Sequence, residues 1–135
     1  MHADLQRVFD FFTDDPVAII GSAALDYDEA QDVDVLFLAD DATWKAIMRR
    51  LHIRYSGWDH GGYHVRRANY RIPGVTKPVQ LLSMSHLTTF ADHPYAVLMR
   101  SGGILHVGER FEKMRRIPKS RRDRRTEWEW EHVEA

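Results

Sequence analysis

The sequence predicts an α/β protein of the α+β type, a mixed β-sheet of about four to five strands with helices packed on one face. Three observations predict it. Apolar residues recur at helical spacing in two segments, residues 5–12 and 44–51. Two short apolar runs, Val17 to Ile20 and Val33 to Leu38, have strand length. Two further runs, Tyr63 to Ile72 and Val79 to Met84, flank a Pro- and Gly-containing turn.

Taken in order, Leu5, Val8, Phe9 and Phe12 fall at i, i+3, i+4 and i+7, and Asp14-Asp15-Pro16 ends that helix. Trp44, Ile47, Met48 and Leu51 repeat the spacing, which predicts a helix over 41–52 that packs on the sheet. The segment SGWDHGGYH reads as a glycine-rich loop, and PGVTKP as a hairpin turn between two strands. Ser85 or Thr88 is expected to start a short helix, and Pro94 to Arg100 to form another. Gly102-Gly103 stops it, and Ile104 to Val107 then has the length of a small edge strand. Ser120 with Asp123 three residues on is a candidate capping box for a terminal helix.

At 135 residues the chain is long enough to bury a core without covalent staples. It has no cysteine, which excludes a disulfide framework and thiolate metal sites. No apolar run reaches membrane-span length and the first residues do not resemble a signal peptide, so a cytoplasmic protein without membrane contact is expected. The net charge of −1 conceals an asymmetry. Residues 1–109 carry 10 basic and 14 acidic side chains, whereas residues 110–125 carry nine basic and two acidic ones before an acidic end. The chain therefore divides into a globular body over 1–109 and a basic, then acidic, C-terminal helical extension over 110–135.

The densest chemistry lies in VAIIGSAALDYDEAQDVDVLFLAD. Gly21-Ser22 closes one strand, and Asp32 and Asp34 open the next. Alternation points both aspartates one way and Val33, Val35 and Phe37 the other. Two close carboxylates repel unless a proton or cation sits between them, and hard oxygen donors suit Mg²⁺ with substrate phosphates. The plainer alternative is a pair of solvated strand-end aspartates.

Ile20-Gly21-Ser22, nine residues, then Asp32-Val33-Asp34-Val35 resembles the signature of the DNA polymerase beta-like nucleotidyltransferase superfamily. The order of elements is similar too, and DHPYAVLMRSGGILHVGERF is similar to the helix, turn and strand that follow in small members. The resemblance covers residues 3–111. It implies that Asp32 and Asp34 hold Mg²⁺, or Mn²⁺ in its place, on the phosphates of a nucleoside triphosphate. It also implies that Gly21 and Ser22 contact those phosphates, and that an acceptor hydroxyl attacks the α-phosphorus.

Two departures accompany it. The family's third carboxylate belongs on a later strand, here KPVQLLSM, where the matching residue is Gln80. An amide coordinates weakly and takes no proton at useful pH. The loop after Ser22 holds Asp26, Asp28 and Glu29 where relatives place a basic residue.

Other groups carry two readings each. Alternation puts Arg67 and Arg71 on one hairpin face, where they either bind phosphates or an acceptor or are simply solvated; Arg66 lies on the other face. Asp59 either replaces the missing carboxylate or serves a turn. His60 and His64 beside it invite a zinc reading that Gly61-Gly62 makes poor, and His86, His93 and His106 read as local hydrogen-bonding groups. Trp58, Tyr63 and Tyr70 stack a base or simply pack. In RRIPKSRRDRR, followed by Trp128 and Trp130, the alternatives are contact with a nucleic-acid or protein partner and a solvated helix with pairs such as Arg125 and Glu129. Three functions follow: an Mg²⁺-dependent nucleotidyltransferase, a catalytically degenerate relative acting by binding a partner, and a nucleic-acid-binding module driven by the tail.

Overall fold

The computed structural model describes residues 2–15, 17–37 and 40–88, and the backbone strands at 103–107, 110–118 and 128–132. Helix α1 (Ala3–Phe11) begins where the His2 ring accepts the Asp4 N–H at 3.1 Å, and it buries Leu5, Val8 and Phe9. Strand β1 (Val17–Ile20) is followed by Gly21 and a single helical turn, α2 (Ser22–Leu25). Strand β2 (Val33–Phe37) returns antiparallel to β1, and helix α3 (Asp41–Leu51) starts on the Asp40 side chain, which accepts the Thr43 N–H at 2.8 Å. The chain continues through β3 (Ser56–His60), β4 (Tyr63–Tyr70), β5 (Val79–His86), β6 (Gly103–Val107), β7 (Arg110–Pro118) and β8 (Trp128–His132).

These strands form one mixed sheet in the order β3-β4-β5-β2-β1-β6-β7-β8. Its parallel seam is β2 against β5; the other pairings are antiparallel. The alternation expected of β2 sends Val33, Val35 and Phe37 into one core with α1 and α3, and Val17 and Ile19 of the apolar strand β1 join them there. There Phe37 meets Phe12 and Trp44 edge-on, at ring-centroid distances of 5.1 and 5.6 Å. Fully burying side chains of this size stabilises the fold by about 2–3 kcal/mol each. The opposite face has a smaller apolar centre, Ala18 and Leu36 with Ile20, Leu82 and Met84. No helix among the described residues is long and apolar enough to cross a membrane.

The α+β class and the mixed sheet agree with the sequence reading, and five strands, β1–β5, fall within residues 17–86. Three segments differ from it. The stretch read as a glycine-rich loop is strand β3 plus a two-residue turn, with His60 opposite Tyr63 and both Gly61 and Gly62 at positive φ. Two such glycines are what a tight hairpin requires. All five β3 residues are exposed, so no apolar alternation marked the strand. Strand β6, expected at an edge, pairs with both β1 and β7. The terminal helical extension is replaced at 110–118 and 128–132 by β7 and β8. Trp128-Glu129-Trp130-Glu131 alternates with period two, the period of a strand. Ser85 belongs to β5 rather than to a helix start. The expected helix at 94–100 and the Ser120/Asp123 capping box lie outside the described residues.

Candidate functional site

Gly21 links β1 to α2 at φ 74°, a backbone conformation that favours glycine. Because Ile20 pairs with Asp34, this turn lies against the Asp34 side chain: a Cβ added at Gly21 would sit 3.0 Å from Asp34 Oδ2. Gly21→Ala therefore meets two penalties, a strained φ and a crowded carboxylate. A urea melt is expected to show a loss on the order of 1–2 kcal/mol.

Asp34 is half-buried on β2, and Asp32 stands just before the strand. Burial pushes the Asp34 carboxyl above the usual carboxylate range, the Asp32 charge pushes it the same way, and Arg67 partly offsets both. The parallel register sets Gln80 beside Asp34, and Asn69 beside Gln80 on the next strand. Asp34, Gln80 and Asn69 thus form a polar row across three strands, on the sheet face away from α1 and α3. Ser22 is exposed at the start of α2.

The remaining predicted residues divide. Arg67 is exposed on the same face, close enough to influence Asp34, and its guanidinium lies 5.7 Å from the Trp58 ring centroid. Arg71 does not join it. β4 ends at Tyr70, and the Arg71 guanidinium donates to the Thr76 carbonyl at 3.4 Å within the β4–β5 turn. Arg66 is buried on the helix side. It donates to Ser83 Oγ at 2.9 Å and Ser85 Oγ at 3.1 Å, and pairs with Asp41 at 2.8 Å.

Asp59 is no substitute carboxylate for this row. It sits on the edge strand, with β4 and β5 between it and β2, and pairs with His64 at 2.8 Å. Among the described residues no three His, Cys, Asp or Glu side chains converge on a metal-sized site, and the His60/His64 zinc reading gains no third ligand. Tyr63 is buried edge-on to His86, and Tyr70 packs near Phe11 and the main core. His93 and the side chains of His106, Trp128 and Trp130 lie outside the description.

Two residues that sequence reasoning passed over hold the acidic loop. Lys77 donates to the carbonyls of Tyr27, Asp28 and Ala30, and its ammonium lies 4.2 Å from the Tyr27 ring centroid. Asp4 accepts the Tyr27 hydroxyl at 2.6 Å, the Thr76 N–H at 3.2 Å and the Thr76 hydroxyl at 2.9 Å, and pairs with Arg7 at 2.7 Å. Asp26, Asp28 and Glu29 stay exposed. Lys77 is the cation missing from that loop's own sequence, yet it serves backbone carbonyls rather than the aspartates. Neither role had a sequence signal, since the bonds to the loop join distant segments and only the Asp4–Arg7 pair is local.

The chain matches no family model, no curated protein and no solved structure.

Proposed function

We propose that this chain is a nucleotidyltransferase-fold protein that binds a nucleoside triphosphate at the Asp32/Asp34 rim and transfers its nucleoside monophosphate to an acceptor hydroxyl. The observation that carries the reading is the register setting Asp34 against both Gly21 and Gln80. The donor set fits a hard divalent cation. Burial and the Asp32 charge both oppose ionisation of Asp34, and a bound cation relieves both.

Asp32 and Asp34 would hold Mg²⁺, with the Gln80 amide oxygen as the weaker third donor. When bound, the ion neutralises phosphate charge and favours in-line displacement. Ser22 donates its hydroxyl to a phosphate oxygen, and Arg67 supplies a guanidinium on the same face. The acceptor oxygen bonds to the α-phosphorus as the bond to the β-phosphate oxygen breaks, and pyrophosphate leaves. Gln80 takes no proton, so the acceptor's proton passes to solvent.

Gln80 also favours a second reading, a degenerate protein that keeps the nucleotide site and acts by binding a partner. Calorimetry with each of the four ribonucleoside triphosphates, with and without Mg²⁺, tests both. Mg²⁺-dependent binding together with incorporation of α-labelled nucleotide supports transfer. Binding without incorporation into any acceptor supports the second reading, and no binding at millimolar nucleotide defeats both.

A further inference from the structure

An open cleft of about 600 Å³ lies at the C-terminal end of α3, away from the Asp34 row. Its polar lining is wholly basic: Lys45, Arg49, His52 and Arg54. Met48 and Ile53 form its apolar floor, and Tyr55 stands at its wall, 38 % exposed and edge-on to buried Trp44 at 5.6 Å. Lys45 is paired with Asp41 one turn earlier, at 2.9 Å.

The arginines elsewhere in the described body each have a partner. Arg7 is held by Asp4, Arg50 by Asp15, Arg66 by Asp41 and two serines, Arg71 by a carbonyl, and Arg67 lies over Trp58. The side chains of Arg49 and Arg54 make no hydrogen bond or ion pair among the described residues, and both residues are exposed in this cleft. Part of this charge complements the negative end of the α3 dipole, where Arg49 and Arg50 occupy the last turn. Arg54 lies beyond that turn, and no acid lines the cleft to balance it.

We propose that this cleft binds single-stranded nucleic acid, with Arg49 and Arg54 on the phosphates and Tyr55 stacking an unpaired base. A tight site for one phosphate is disfavoured here, because the carbonyl end of a helix repels an anion and offers few N–H donors. Separated cations on long stems suit a chain of phosphates instead. A ring exposed at a cleft wall reaches a base only when that base is not already paired and stacked. The cleft also adjoins the sheet's free edge: β3 begins at Ser56, next to Tyr55, and carries Trp58, itself 41 % exposed beside Arg67. Trp58 shares with Arg67 the sheet face opposite α3, so it lies outside the cleft and Tyr55 is the cleft's own stacking ring.

The test is fluorescence anisotropy of the full chain with a labelled mixed-sequence 15-mer, as single-stranded DNA, single-stranded RNA and duplex DNA, across a salt series. We expect the single strands to bind more tightly than the duplex. Arg49→Ala/Arg54→Ala should weaken single-strand binding at least tenfold at low salt. It should also flatten the slope of log K against log salt by about 1.4, the value for two lost phosphate contacts on a single strand. Tyr55→Ser should weaken binding about five- to tenfold and leave the slope unchanged, because stacking is not ionic. Both arginines are exposed, so the double variant is expected to keep the wild-type thermal melt, which is checked by circular dichroism. Wild-type affinity and slope in that variant would overturn the proposal and assign any binding to the basic segment at 110–125. Equal affinity for duplex, or no wild-type binding at low salt, would overturn it as well.

Discussion

Asp34→Ala is expected to lower nucleotide incorporation by about 10²–10³-fold, the scale for removing one preorganised electrostatic group from a reacting centre, while leaving the unliganded fold as stable or slightly more so. The two effects separate because of where the carboxylate sits. It is half-buried, repelled by Asp32 and only partly offset by Arg67, so its ionised form is a liability to the empty fold. A carboxyl whose pKa is raised on folding costs stability at neutral pH and returns it as pH falls through the raised value. Removing the group therefore removes a cost. The isosteric Asp34→Asn is the companion variant, since it keeps the volume beside Gly21 and removes the charge. Thermal melts with and without Mg²⁺ complete the comparison. Mg²⁺ should raise the wild-type midpoint and leave both variants unmoved, since only the wild-type protein gains binding energy in the folded state. A variant that loses activity and stability together would place Asp34 in the scaffold rather than in a site. On the same reading, Mg²⁺-dependent binding weakens as pH falls toward the carboxylate range, because the donors must be ionised.

The second large effect concerns stability alone. Asp4→Ala is expected to cost about 3 kcal/mol, the sum of leaving the Tyr27 hydroxyl and the Thr76 N–H without their acceptor. For a domain of this size that is a fall of about 10 °C in the melting midpoint. Asp4 is only 5 % exposed and ties three segments together: α1, the loop after α2 and the β4–β5 turn. Arg7 reinforces the same junction by donating to the Gly74 carbonyl at 3.2 Å. The Tyr27 hydroxyl bond is the largest influence holding the Asp4 carboxyl down at about 2, and the Thr76 donors add to it against the opposing effect of burial. Burial and the Asp4 carboxylate in turn raise the Tyr27 hydroxyl. A depressed carboxyl contributes its stability above the unfolded pKa and loses it as pH falls through the folded one. Wild-type stability should therefore decline between about pH 4 and pH 2, and the Asp4→Ala variant should show a flatter decline there. Urea melts at three pH values across that window measure the difference.

Much of this architecture was legible in the sequence because its signals are local. The spacing of Leu5, Val8, Phe9 and Phe12 marks α1, and the spacing of Trp44, Ile47 and Met48 marks α3. Apolar runs mark β1 and β2, and the family resemblance together with element order put Gln80 on the strand that pairs with β2, where it stands beside Asp34. What escaped has physical reasons. Strand β3 buries nothing, so it lacks the alternation that burial imposes. Arg71 was grouped with Arg67 by an alternation that holds only while the strand lasts, and β4 stops one residue short of it. Lys77 acts on carbonyls about fifty residues away, and Asp4 on a turn more than seventy away. Such pairings are set by the tertiary fold, and no spacing along the chain announces them.

The parallel seam between β2 and β5 has a kinetic meaning. β3, β4 and β5 join through short connections, so they can pair with little loss of chain freedom. β2 and β5 meet across an intervening helix and hairpin, with Asp34 and Gln80 far apart along the chain. Closing so long a loop before its contacts form is a slow step in folding, and parallel pairing has no tight-turn shortcut. The row that brings Asp34 to Gln80 is therefore expected to assemble after the β3–β5 hairpins, an order that pulse-labelled hydrogen exchange during refolding would read as later protection of β2 than of β4. Until that pairing forms, the β5 edge that takes β2 is open and Asp34 and Gln80 remain apart.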